Sequence, residues 1–250
     1  MSGPLLALDT ATRTAVVALG TPEGALMASE AWRAGYVHGE RLLEAVERVL
    51  ARAGRRFGEI SAVVVGTGPG AFTGLRVGLA TAKGLAYGLE RPILGIETAL
   101  ALARAATRTE DRAGDPPGRG RRAAAAAPRR ALVVLPAGPA DRYAVPVRLD
   151  ADGSVRLEAA PRLVVGGSDP FGGTGDALLV AVDLDEAPLA ARSAGERALR
   201  GLARALVELG SARLAHGEVD DLSELGPVYV TLPRGIRARS GEIAWSRDLR

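Results

Sequence analysis

Two stretches of the chain hold residue types at a spacing that could do chemistry. The first is Leu6-Ala-Leu-Asp-Thr-Ala-Thr12, an apolar strand that ends on a carboxylate and two hydroxyls. Asp9 stands where a carboxylate could meet a phosphate or Mg²⁺, or could cap the turn through Thr10–Thr12. The second is Gly66-Thr-Gly-Pro-Gly-Ala71, a G-x-G-x-x-A loop between a strand and a helix, with Glu90 downstream. Such a loop can let a backbone approach a pyrophosphate. Two features oppose a dinucleotide reading: the preceding strands form a meander rather than opening a βαβ unit, and Pro69 lacks an N–H. No Gly-Lys-Ser/Thr follows, so a Walker A loop is excluded. Asp9, Thr10, Thr12, Gly68 and Gly70 are therefore the candidate nucleotide- or phosphate-binding residues. An ATPase or phosphotransferase using Asp9 is the enzymatic alternative.

Other chemistry is poorly supplied. The chain has no cysteine and two histidines, His38 and His216, which cannot build an HExxH or HxxxH pair. No G-x-S-x-G elbow presents a nucleophile. Neither a catalytic residue nor a metal ligand is assigned.

These segments must be positioned by an α/β body. Strands are expected at 4–9, 15–19 and 25–31, then an amphipathic helix at 37–53, a buried strand at 60–66, a helix at 74–88, a strand at 91–96 and a helix to 106. In the 37–53 helix Leu42, Leu43, Val46, Val49, Leu50 and Ala53 repeat on one face, and Gly54 ends it. Thr73 is placed to cap the next helix. That helix carries two small-residue rows, Gly74, Gly78, Ala82 and Ala80, Gly84, Gly88. An interior glycine costs about 1 kcal/mol relative to alanine. Close backbone approach, within the chain or across an interface, would offset that.

Residues 107–130 carry almost no bulky apolar side chain and read as a low-complexity linker or exposed insertion. Beyond them come strands at 131–135, 143–149, 155–157 and 177–182, a helix at 194–209 and a tail with Pro and Gly. The division is a first lobe at 1–106, the linker at 107–130 and a smaller lobe at 131–250.

With 250 residues the chain can bury its own core. It has no signal-like N-terminus and no apolar run of spanning length, so a cytoplasmic protein without a membrane is expected. The formal charge is +3, and Lys83 is the only lysine among the basic residues. The arginines are scattered, as a GC-rich genome would produce, rather than gathered into a nucleic-acid stripe.

Leu6-Ala-Leu-Asp-Thr-Ala-Thr12, His38 before its helix, Gly66-Thr-Gly-Pro-Gly-Ala-Phe-Thr-Gly-Leu-Arg-Val-Gly78 and Ala82-Lys-Gly-Leu-Ala86 together resemble the bacterial TsaB (YeaZ) family of tRNA threonylcarbamoyladenosine biosynthesis. The resemblance covers about residues 4–105, and Gly226-Pro-Val-Tyr229 and Ile243-Ala-Trp245 echo the family's ending. It implies an ASKHA (actin-like ATPase, sugar-kinase-like) fold of two lobes, the second smaller and degraded. It also implies a non-catalytic partner of the transferase TsaD and the ATPase TsaE, acting on the adenosine beside the anticodon in tRNAs that read codons beginning with A. The chain would be a homodimer when alone, would meet tRNA through the complex, and would hold no cofactor of its own, ATP or ADP belonging to the complex.

The resemblance further implies that the helices at 37–53 and 74–88 dock the partner. The expected interface is Leu42, Leu43, Val46, Val49, Leu50, Gly74, Arg76, Gly78, Ala82 and Leu85. The catalytic paralogue carries an H-x-x-x-H metal pair at positions that are Thr98 and Leu102 here. The stretch Val134–Tyr143 departs from the family's Asp-Ala-Arg…Gly-Glu-Val-Tyr segment, as does the 107–130 insertion.

Overall fold

The computed structural model describes residues 3–33, 38–107, 129–230, 238–239 and 242–243. Leu5–Asp9 (β1), Thr14–Gly20 (β2) and Leu26–Arg33 (β3) form the antiparallel meander. Ala62–Gly66 (β4) pairs parallel to β1, and Ile93–Ile96 (β5) pairs parallel to β4. The resulting order is β3-β2-β1-β4-β5.

The alternation of side chains along a strand decides what covers each face of this sheet. Leu6, Leu8, Val17, Leu19, Val63 and Val65 point to one side and pack under His38–Arg52 (α1) and Phe72–Leu89 (α2). Helix α1 rests over β2 and β3, and α2 over β4 and β1. Glu30 on β3 binds Arg48 at 2.8 Å and Arg52 at 2.5 Å, which fixes one flank of α1 to the sheet's outer strand. The hydrogen bond from Arg48 is the main reason the Glu30 carboxyl lies below its ordinary range.

Leu5, Ala7, Val16, Ala18, Ala62 and Val64 point to the other side. There they meet Thr98–Ala106 (α3) and the long Leu189–Ala215 (α4). Helix α4 comes from the second half of the sequence, yet it lies against all five strands of the first sheet. Two of its glycines make room for neighbours, one against each sheet. A Cβ at Gly210 would strike Val64, and one at Gly195 would overlap the Ala181 carbonyl.

The second sheet is built from Arg129–Pro136 (β6), Arg142–Leu149 (β7), Val155–Leu157 (β8), Arg162–Val164 (β9) and Leu178–Ala181 (β10). Its order is β10-β6-β7-β8, with β9 also pairing to β7. Strand β10 is parallel to β6 and the other pairings are antiparallel. One apolar cluster runs from the first sheet through α3 and α4 into β6, β7 and β10. Two mixed sheets with flanking helices make the expected ASKHA architecture. Ala238–Arg239 (β11) and Glu242–Ile243 (β12) add a short antiparallel ribbon.

Several expectations change. Strand β9 and the ribbon were not anticipated, and α4 runs 27 residues rather than the sixteen of 194–209. Helix α2 begins two residues early, with Ala71 at its N-cap, so Thr73 lies inside the helix and does not cap it. Of the stretch 107–130 only Thr107, Arg129 and Arg130 fall within the described residues, and Ala244 and Trp245 lie outside them. Among the described residues no helix is long and apolar enough to cross a membrane.

Candidate functional site

The parallel strands β1, β4 and β5 bring their carboxyl ends together, and the five predicted nucleotide-site residues meet there. Asp9 is fully buried. Its Oδ1 accepts from the Ala11 N–H at 2.7 Å, so it does cap the turn. Its Oδ2 accepts from Thr98 Oγ1 at 2.6 Å, and Thr98 Oγ1 in turn accepts from the Gly68 N–H at 3.0 Å. Burial pushes the Asp9 carboxyl up to about 6, although the bonds from Thr98 and Ala11 pull the other way. Glu97, beside Thr98, is also raised by burial, and its Oε2 is buried with no partner among the described residues.

The neighbouring donors are turned inward as well. Thr10 Oγ1 donates to the Gly74 carbonyl at 2.7 Å, and Thr12 Oγ1 to the Thr14 carbonyl at 2.8 Å. The Ala71 N–H donates to the Ala11 carbonyl at 2.7 Å, and Gly70 lies so close to Ala11 that no Cβ would fit. Across the mouth, the Arg13 N–H donates to Asp183 Oδ2 at 2.7 Å. The loop glycines thus serve close packing of the chain on itself. Thr10, Thr12 and Gly68 use their donors internally in this arrangement. Glu90 is the left-handed residue that ends α2, at φ 54°, rather than a ribose-binding acid in a dinucleotide fold.

Thr98 and Leu102, which the resemblance sets opposite a metal pair, are also interior. Thr98 holds Asp9 and Gly68, and Leu102 is fully buried in the cluster between the sheets. Among the described residues no three His, Asp or Glu side chains converge as a metal site would require. His216 lies at the end of α4, its Nδ1 2.7 Å from the Ala212 carbonyl.

The helical surface differs most from expectation. Of the ten expected interface residues, Leu42, Val46, Val49, Leu50, Gly74, Gly78 and Ala82 are buried within the chain itself. The apolar face of α1 covers the sheet. Gly74 and Gly78 sit against Thr10, where a Cβ would overlap its carbonyl and hydroxyl oxygens. These seven residues are core, and only Leu43, Arg76 and Leu85 retain exposure.

The other small-residue row of α2 points outward. A Cβ added at Gly84 or Gly88 would meet nothing within 4 Å. Tyr87 beside them is 78% exposed. Leu43 is 49% exposed, on the flank of α1 away from the Glu30 anchor and therefore toward α2. Leu43 on α1 and Ala80, Gly84, Tyr87 and Gly88 on α2 are exposed, and Leu85 is half-buried.

The tail after α4 returns to this region. Asp220 pairs with Ile93 at the edge of β5, and its Oδ2 accepts from the Gly95 N–H at 2.7 Å. Lys83 donates to the Ser223 carbonyl at 3.3 Å, and the Val228 N–H to the Thr67 carbonyl at 2.8 Å. Tyr229 then stacks near Phe72 with ring centroids 5.6 Å apart. Arg76 lies over Phe72 at 3.8 Å and donates from Nε to the Tyr229 hydroxyl at 3.2 Å. Sequence reasoning missed this cluster. Its one local signal was the i, i+4 pair Phe72 and Arg76, since Tyr229 is over 150 residues away.

Comparison with known proteins places these features in a family context. The profile of TsaD, tRNA N6-adenosine threonylcarbamoyltransferase, matches residues 33–119. The tRNA threonylcarbamoyladenosine biosynthesis protein TsaB of Escherichia coli (strain K12) is 36% identical over 114 residues, 42% of this chain and 44% of that protein. TsaB of Haemophilus influenzae is 39% identical over 102 residues, 41% of this chain and 42% of that protein. The alignment thus spans less than half the length of these curated relatives. Among solved structures, YeaZ from Pseudomonas aeruginosa is 28% identical with a TM-score of 0.63, covering 92% of this chain and 100% of the other. A second structure from that organism, described as similar to peptidase YeaZ, is 27% identical with a TM-score of 0.64 and the same coverage. In sequence over less than half of its length, and in fold over nearly the whole chain, the protein is similar to the TsaB/YeaZ family.

Proposed function

We infer that this chain is a non-catalytic scaffold for tRNA threonylcarbamoylation in the cytoplasm, docking a TsaD homologue on the outer face of α1 and α2. A TsaE homologue completes the assembly, and the chain pairs with a second copy of itself when alone. The observation that carries the docking reading is the pair Gly84 and Gly88. The interior Gly84 weakens α2 by about 1 kcal/mol relative to alanine and Gly88, in its last turn, by less, and among the described residues nothing approaches either closely. A partner backbone is the gain that accounts for them. The exposed Leu43 and Tyr87 supply the apolar contacts such an interface needs. The non-catalytic reading is supported by Thr98 and Leu102, which serve the core where the resemblance would place metal ligands.

The test is co-purification and calorimetry with the TsaD homologue of the same organism. The native chain is expected to bind, and Gly84→Leu to weaken binding at least tenfold while remaining folded. Unchanged affinity in that variant removes α2's outer face from the interface. The alternative, an ATPase or phosphotransferase with Asp9 at the phosphates, predicts ATP turnover that vanishes in Asp9→Asn. A buried Asp9 with both oxygens bonded inside the chain speaks against it.

A further inference from the structure

The exposed aromatic side chains among the described residues are Phe72, Tyr87 and Tyr229, at 38%, 78% and 42%. Two of them lie on α2 and the third is clasped to it. Phe72, Arg76, Ala80, Lys83 and Tyr87 fall at i, i+4, i+8, i+11 and i+15, so they share one flank of the helix over about 22 Å. Within that flank Arg76 is held in an unusual way. Phe72 supports one face of its guanidinium, and Nε is bonded to the Tyr229 hydroxyl. Its Nη1 and Nη2 have no hydrogen-bond partner among the described residues. An exposed arginine normally loses side-chain freedom when it is engaged; here packing has already removed most of it.

We propose that Arg76, fixed by Phe72 and Tyr229, is a preorganised receptor for a carboxylate side chain of the docked protein partner. The proposal rests on the docking face described above and adds a charged anchor at its rim. A guanidinium with its two terminal nitrogens free presents parallel donors that match a carboxylate. The flank fits a protein better than a nucleic-acid backbone. Its only other cation among the described residues, Lys83, is already bonded to the Ser223 carbonyl, so these show no row of cations following a line of phosphates. The strap from Asp220 to Tyr229 therefore takes part in recognition, because its last residue sets the direction of the fork.

Affinity for the TsaD homologue, measured by calorimetry with the full chain, tests this. Arg76→Ala is expected to weaken binding about tenfold, Arg76→Glu more, and Arg76→Lys to recover only part of the loss. Tyr229→Phe keeps the stacked ring and removes only the hydroxyl, so it decides the matter should the arginine variants lower the melting temperature. It is expected to weaken binding two- to threefold without changing stability. Native affinity in all four variants overturns the carboxylate receptor and leaves the docking face standing. Full recovery by lysine overturns the fork geometry, and a defect seen only when tRNA is added assigns Arg76 to a phosphate instead. Failure of the native chain itself to bind overturns both readings.

Discussion

Helix α2 carries two rows of small residues that look equivalent when written out, and the fold treats them in opposite ways. Gly74, Gly78 and Ala82 face Thr10 and the sheet, and the two glycines are there because the β1–β2 turn passes where a Cβ would stand. Gly84 and Gly88, one step round the helix, face open space. The first row is accounted for by the monomer alone. The second is not, and a feature that costs helix stability without a return inside the chain directs attention to what lies outside it.

The largest effect separating the two rows should come from Gly78→Leu. The added side chain must displace Thr10, and a loss of about 3 kcal/mol, the upper range for overpacking, is expected in urea unfolding. A loss below about 1 kcal/mol would mean that the inner row is not packed as described.

The next effect concerns the site the inner row helps to close. The folded pKa of Asp9 is raised from 3.8 to about 6, so the folded chain holds this proton more tightly than the unfolded chain. Its contribution is therefore full below about pH 4 and is lost as pH rises through 6, a change of roughly 3 kcal/mol. Glu97 is shifted in the same direction. Urea midpoints between pH 4 and 8 should fall with rising pH on this account. In Asp9→Asn that slope should flatten; an unaltered slope would show that Asp9 is not its source.

Smaller still are the expected gains on the outer row. Gly84→Ala and Gly88→Ala should each raise stability by up to about 1 kcal/mol, since the space is open and the helix improves. Both should weaken partner binding. Thermal melts and calorimetry on the same samples would show the two quantities moving in opposite directions, whereas a stability gain with full binding would remove these glycines from the interface. Last, Leu43→Ser should leave stability within about 0.5 kcal/mol, as surface changes do, and reduce affinity a few-fold.

How far the sequence could be read differed between the lobes. Over residues 1–106 the strands alternate or are buried on both faces, the helices are periodic, and every strand and α-helix was expected within a few residues of its observed place, the short 3-10 turn Phe57–Glu59 being missed. The second lobe has short strands such as Arg162–Val164, in which three residues give no period to detect. The run of α4 past 209 was also hidden, because Gly210 and Ser211 look like a stop. In the fold both are buried against neighbouring elements, Gly210 against Val64 and Ser211 bonded to the Pro22 carbonyl. The candidate site was legible in part. Asp9, Thr10, Thr12, Gly68 and Gly70 were expected together and are together, yet their spacing could not tell a site that receives a ligand from one that bonds to itself.

By itself the sequence determined the order of strands and α-helices over residues 1–106, the amphipathic character of α1 and the likeness to the TsaB/YeaZ family. These follow from local periodicity and residue chemistry, which adjacent residues already express. Only the tertiary structure decided which face of each helix is spent on the core, that α4 returns to cover the first sheet, and that Tyr229 meets Phe72 and Arg76. Each of those depends on segments far apart in the chain competing for the same surface, and no short window of sequence contains both competitors.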